Sequence, residues 1–257
     1  MARCRYDFWR PREGLSCLRS ASWVMIIDKA MKPAKRWLRS HGGPLGSVVA
    51  VKTARPEFVL TYDDGPEPGG TDAILPVLER HGATATFFVL MNRVHAHPSL
   101  LREVVSAGHE IALHGVDHQP ISRMSKKEVR NRTAAAKADL ETILGTSVRW
   151  FRPPYGLQTI GTFRAIRSCG LVPVLWGPSA VDSREATEEE RISRALRGVA
   201  PGVILLSHDG YAGYADGGRS NNRPNVDRAH LAHRILTEFA NKGLRARSLA
   251  SSLVDSS

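Results

Sequence analysis

The chain turns on the stretch Thr61-Tyr62-Asp63-Asp64-Gly65-Pro66. The apolar run Phe58-Val59-Leu60 leads into it and Gly65-Pro66 ends it, so it reads as a strand running into an acidic turn. Asp63 and Asp64 then sit where a strand stops and side chains can point into a shared site. Two adjacent carboxylates repel each other there unless something cationic holds them. A metal ion is the simplest candidate. The nearest soft donors in sequence are His114 and His118, in the motif HGVDH at 114–118, and a further motif, SHDG at 207–210, carries His208.

Outward from this stretch a regular alternation appears. Strand-like runs are expected at 58–62, 84–90, 110–114, 148–152, 171–176, 203–207 and 244–248. Helical patterns are expected between them, at 71–81, 98–107, 125–144, 158–169, 187–198 and 227–242. Ser125 with Glu128 three residues on predicts a capping box, and Gly145 a stop. Runs such as Thr86-Phe87-Phe88-Val89-Leu90 and Val203-Ile204-Leu205-Leu206 are almost continuously apolar, as in strands buried on both faces. Strand–helix units in this order predict an α/β fold with a parallel sheet, either closed as an incomplete barrel or open and doubly wound.

In such folds chemistry gathers at the carboxyl ends of strands. Asp63 and Asp64 follow the first strand and His114 and His118 the third. Arg152 and Tyr155 follow the fourth, Asp182 the fifth, and His208 ends the sixth. A single polar group at a strand end is usually a cap or a surface group. Five strand ends each supplying one is hard to explain by structure alone.

Charge is uneven. The chain carries +11 overall. Residues 1–56 hold 12 Lys/Arg against 3 Asp/Glu, which is +9, leaving +2 for the other residues. The whole domain therefore does not read as a nucleic-acid binder, whereas 1–56 reads as a basic arm. It is either a solvated leader or a weak contact for phosphate or anionic lipid. A short helix at 28–39 and a linker-like break at Gly42-Gly43-Pro44 are expected within it, and Met25 and Met31 are alternative starts. The domain proper is expected at 57–257. Cys4, Cys17 and Cys169 show no CxxC spacing, which argues against a disulfide framework or a thiolate metal site. No run has the roughly 18–20 apolar residues of a spanning helix. The apolar patch at 21–27, closed by Asp28-Lys29, makes a poor signal peptide, and a cytoplasmic location is expected.

The motifs TYDDGP, HGVDH, RPPYG, WGPSAVD and LLSHDG resemble, in order and spacing, the polysaccharide deacetylase family, also called the NodB-homology or carbohydrate esterase 4 family. The resemblance covers about residues 57–250. It implies an irregular (β/α)7 barrel that removes N- or O-acetyl groups from sugars such as N-acetylglucosamine with one divalent metal ion, often zinc. It further implies that Asp64, His114 and His118 are metal ligands, Asp63 the general base and Arg152 its positioning partner. By the same resemblance the Tyr155 N–H is an oxyanion donor, His208 the general acid, Asp182 its orienting carboxylate, and Leu206 part of an acetate pocket.

The residue chemistry agrees. Two His and a carboxylate leave coordination positions open for water and substrate. Amide hydrolysis needs an activated water, a stabilised oxyanion and a proton for the leaving amine. Three departures from the family pattern stand out. Gly115 takes the place of a Ser or Thr that would brace the histidine loop, so the brace must come from elsewhere or metal affinity falls. Ser183 follows Asp182 where an aromatic is common. Residues 209–226 form a Gly/Asn-rich insertion, either a flexible surface loop or a substrate cover with Tyr211 and Tyr214 as stacking surfaces. With Leu206 and Trp176 these tyrosines are the candidate substrate residues. Two other readings remain at this point: an amidohydrolase of the same barrel acting on a small non-sugar C–N bond, and a silent glycan-binding homologue.

Overall fold

The structure is a computed structural model that describes residues 46–253. The strands are β1 (Glu57–Asp63), β2 (Thr86–Leu90), β3 (Glu110–Gly115), β4 (Trp150–Phe151), β5 (Val172–Pro173), β6 (Ile204–His208) and β7 (Arg245–Arg247). The helices are α1 (Thr71–Arg80), α2 (Met91–Ala96), α3 (Pro98–Ser106), α4 (Lys126–Leu144), α5 (Ile160–Ser168), α6 (Glu188–Ala195), α7 (Arg228–Asn241) and α8 (Leu249–Leu253).

Successive side chains of a strand point to opposite faces, and here both faces are covered. Val59, Phe88, Ala112, Trp150, Val174 and Ile204 form one small cluster, the barrel interior, with Val51 and Leu249. Their neighbours Leu60, Phe87, Val89, Leu113, Phe151 and Leu205 join a larger layer against Ile74, Leu78, Val104, Leu140, Ile166 and Phe239 of the helices. The Phe58 and Phe239 rings stack with centroids 3.9 Å apart, fixing α7 to β1. This double burial is why β1 is buried at every position and carries no polar–apolar alternation in sequence.

The sheet is parallel throughout, in the order β5-β4-β3-β2-β1-β6, with β7 beside β1. One half of β1 pairs with β7 at 57–59 and the other with β2 at 61–63. Beyond β5 the chain crosses to β6, where Gly177 N–H donates to Ile204 O and Ala180 N–H to Leu206 O, both at 2.9 Å. The result is the expected irregular barrel. Its amino-terminal end is plugged by Glu110, which accepts from Trp150 Nε1 at 2.8 Å, Thr86 Oγ1 at 2.7 Å and Ala250 N–H at 3.0 Å.

The expected domain boundary at 57 falls inside a segment that belongs to the barrel. Val48 bridges to Val174 and Ala50 to Val203, and Val51 is buried in the inner cluster. The backbone at 48 and 50 finds partners 126 and 153 residues away, which local composition does not reveal. The rest of the basic arm, with Cys4, Cys17, the helix at 28–39 and the break at 42–44, lies outside the described residues. Cys169 is free. Among the described residues no helix is long and apolar enough to cross a membrane.

Helix ends follow local chemistry. Ser125 Oγ accepts from Glu128 N–H at 3.2 Å, and Gly145, at φ 66°, ends α4 in the left-handed conformation. A reciprocal capping box forms instead at Thr159, with Thr162. Two helices, α2 and α8, are shorter than a reliable periodic pattern and were not expected.

Candidate active site

The barrel's inward parity delivers the polar groups. Along β1 the inward positions are Val59, Thr61 and Asp63. The same alternation places His114 beyond Ala112, Arg152 beyond Trp150, and Leu206 and His208 beyond Ile204. In the β1–β6 register Asp63 and His208 are direct partners. Asp64 follows at φ 78°, a left-handed conformation unusual outside glycine, which breaks the strand alternation and lets both carboxylates face the site.

Asp64 Oδ1 lies 3.4 Å from His114 Nε2 and 3.4 Å from His118 Nε2. One ligand atom from each of the three residues falls within 4.8 Å of the others. His114 Nδ1 is 2.7 Å from Arg152 O. A carbonyl only accepts, so Nδ1 carries the proton and the Nε2 lone pair is left for the centre. Burial pushes His118 down to about 4, against the pull of Asp64, which keeps the ring neutral. Burial would raise Asp64, but the three surrounding imidazoles hold it well below the usual carboxylate range. Asp64 Oδ1 and His114 Nε2 are buried without hydrogen-bond partners. Buried acceptors that converge without donors are costly, and a cation among them removes that cost, so this donor set fits a metal ion.

His114 lies on β3 and His118 on the turn after it, with ring centroids 5.2 Å apart. The turn starts at Gly115, φ 134°, where a Cβ would lie 3.0 Å from Asp117 O. The tight return of the chain therefore favours glycine at the position where a hydroxyl was missed.

Arg152 is fully buried. Its Nη1 meets Asp63 Oδ1 at 2.6 Å and Thr61 Oγ1 at 2.8 Å, and Nη2 donates to Leu175 O at 3.0 Å. The guanidinium lies 4.0 Å above the Phe88 ring. Asp63 Oδ2 is left 3.8 Å from His114 Nε2, facing the ligand set. On the other side Asp182, wholly buried, accepts from His208 Nδ1 at 2.7 Å, His208 N–H at 2.8 Å and Ser207 Oγ at 2.5 Å. Burial alone would lower His208, but the Asp182 carboxylate outweighs it and lifts the imidazole to about 9. Val181, at φ 57°, holds the turn that presents Asp182.

Asp63, Asp64, His114, His118 and His208 line a cavity of about 360 Å³ together with Tyr155, Trp176, Leu206, Tyr211, Ser183 and Arg219, and Arg152 and Asp182 lie buried behind them. Tyr155 is left-handed at φ 60°, with its ring edge-on to His118 at 4.3 Å. Tyr214 is not brought to the cavity. It stands 63% exposed on a short 3-10 turn at 214–216. Nor is 209–226 a free surface insertion. Tyr211 Oη donates to Ser220 O at 3.0 Å, and Arg219 stacks over Tyr155 at 4.4 Å.

Sequence reasoning gave no role to Asp209. Its carboxylate accepts from Gly65 N–H at 3.0 Å and Thr71 Oγ1 at 2.6 Å, joining the acidic turn to the end of β6. Burial raises it to about 6. Its presence in SHDG was the one available sign. Arg228, which donates to Gly210 O at 2.7 Å and lies 3.7 Å from Asp182, carried none.

A sequence profile for polysaccharide deacetylase matches residues 50–174. A chitooligosaccharide deacetylase of Azorhizobium caulinodans is 34% identical over 167 residues, covering 65% of this chain and 80% of that one. Among solved structures, a peptidoglycan N-acetylglucosamine deacetylase superposes with a TM-score of 0.70 at 24% identity, covering 80% and 91% of the two chains. A family pseudoenzyme from Bacillus anthracis superposes with a TM-score of 0.68 at 19% identity, covering 80% and 68%. The barrel alone is thus shared by active and inactive proteins. Members of this family are generally metal-dependent, and Asp64, His114 and His118 are a three-residue set of the kind such an ion needs. The chain belongs to the polysaccharide deacetylase family, the NodB-homology or carbohydrate esterase 4 deacetylases.

Proposed function

We propose that the chain hydrolyses N-acetyl groups of amino sugars in an oligosaccharide or glycoconjugate, with one zinc ion held by Asp64, His114 and His118. The observation that carries this reading is the pairing of Asp63 with His208 across β1 and β6. It sets a carboxylate held by a buried Arg beside an imidazole held protonated by a buried Asp, both facing one cavity. When bound, the ion polarises the acetyl carbonyl and lowers the pKa of a water.

Each protein group then has one task. Asp63 Oδ2 takes the water's proton, while Arg152 holds Oδ1 and aims the carboxylate. His208 holds its transferable proton at Nε2, because Nδ1 is committed to Asp182, and delivers it to the departing amine. The Tyr155 N–H donates to the developing oxyanion. Leu206 and Trp176 wall the acetyl group, and Tyr211 supplies a face for the sugar ring.

A relative named for chitooligosaccharides supports the oligosaccharide class. The test is acetate release from chitooligosaccharides, set against small non-sugar amides, with the zinc-loaded chain. Release from the sugars alone is expected. Release from the amides alone makes this an amidohydrolase, and zinc-loaded protein inert toward both makes it a silent homologue.

A further inference from the structure

We infer that Asp216, locked by Arg93, is the brace that holds His118 in ligating position. The inference rests on the reading that Asp64, His114 and His118 bind a metal ion. His118 is the one ligand of the three carried well beyond a strand end, so its position depends on whatever fixes that turn. Gly115 has no side chain to do so. The His118 N–H instead donates to Asp216 O at 2.7 Å, across 98 residues of chain.

Asp216 is itself immobilised through its carboxylate. Oδ1 accepts from Asn92 Nδ2 at 2.9 Å and Arg93 Nε at 3.1 Å, and Oδ2 accepts from Arg93 Nη2 at 2.7 Å. Arg93 Nη2 also donates to Tyr211 O at 2.7 Å, and Nη1 pairs with Glu67. The Arg93 and Asp216 side chains are only 12% and 16% exposed, so solvent screens the pair weakly. The same short helix α2 grips the histidine turn from its other side, where Asn92 N–H donates to Val116 O at 3.0 Å. The two segments touch closely. A Cβ on Gly217, at φ 80°, would lie 2.8 Å from Gln119 Cγ. One clamp thus fixes both the turn bearing His118 and the loop facing it, and Arg93 and Asp216 act as positioning residues for the metal.

The experiment is the zinc Kd of the full chain, measured by chelator competition, for wild type, Arg93→Met, Arg93→Lys and Asp216→Asn. Groups that orient a ligand typically contribute about 10–100-fold in affinity. Arg93→Met is expected to weaken binding by about that factor. Arg93→Lys should recover only part of it, since an ammonium cannot make the fork to both carboxylate oxygens. Asp216→Asn, the mildest change, should weaken binding least of the three while still exceeding twofold. Amide hydrogen exchange at His118 in the metal-free protein should speed up in every variant, which decides the matter if Arg93→Met does not fold. Variants that bind zinc within twofold of wild type overturn the brace and leave the site reading intact. A lowered melting temperature with unchanged Kd and unchanged His118 exchange does the same. A wild type that binds no zinc removes the site reading and the brace together.

Discussion

Asp182 shows how much of the chemistry rests on single buried partners. It accepts three hydrogen bonds, two of them from His208, and in the proposed mechanism stabilises the imidazolium that donates a proton. The acid works only while protonated, so activity falls as pH rises through the His208 pKa, which stands at about 9 with the site free of metal. A cation bound at Asp64 would repel the imidazolium and bring that limb below 9. Asp182→Asn removes the favourable charge, and burial then lowers the pKa further. The basic limb of the pH–rate profile should move down by about 1–3 units. An unmoved limb removes Asp182 from proton transfer. Arg152→Met leaves Asp63 buried without its cation, and such broken pairs cost about 3–5 kcal/mol. Urea unfolding should show that loss, and a change under about 1 kcal/mol would mean that Asp63 is solvated. At this scale the sequence was informative wherever a motif named the residue: Asp63, Asp64, His114, His118 and His208 line one cavity, and Arg152 and Asp182 stand directly behind Asp63 and His208. Asp209 was marked only by its place in SHDG, and the Arg93–Asp216 pair was illegible because it spans 123 residues through loop paths that no periodicity encodes.

The elements were legible in proportion to their length and double burial. β1, β2 and β6 announced themselves as unbroken apolar runs, since parallel strands covered on both faces need no alternation. The expected strands at 148–152 and 171–176 shorten to two residues each, and past β5 single bridges from Val48 to Val174 and from Ser179 to Leu206 take up the pairing. The capping box expected at 125–128 is half made: Ser125 caps the helix, while no bond returns from Glu128 to the Ser125 N–H. Ser125→Ala should therefore cost about 1 kcal/mol, the ordinary value of an N-cap. For a domain of this size that lowers Tm by about 2–4 °C. A Tm within about 0.5 °C of wild type would show that tertiary packing, not the cap, sets where α4 starts.

Across the whole molecule the barrel's parity sends apolar side chains to the interior and polar ones to its carboxyl end, and the 209–226 loop walls one side of what results. The cavity of about 360 Å³ lies at the small end of the roughly 300–1,000 Å³ range of ligand sites. It suits one or two sugar units better than a polymer held along its length. Within a chain-length series of N-acetylated glucosamine oligomers, kcat/KM should peak at short oligomers. Tyr211→Ala should raise KM, whereas Tyr214→Ala, outside the cavity, should leave it unchanged. Efficiency that climbs steadily to polymeric chitin, with both tyrosines silent, would contradict this.

The central claim is that Asp63 moves a proton beside a metal held by other residues. It is tested most directly by Asp63→Asn, with zinc content and the rate of acetate release measured on the same zinc-loaded sample. The account predicts undiminished zinc and a rate lower by about 10²–10⁴-fold, the usual size of a general acid–base contribution. A variant that keeps both its zinc and its rate would contradict it.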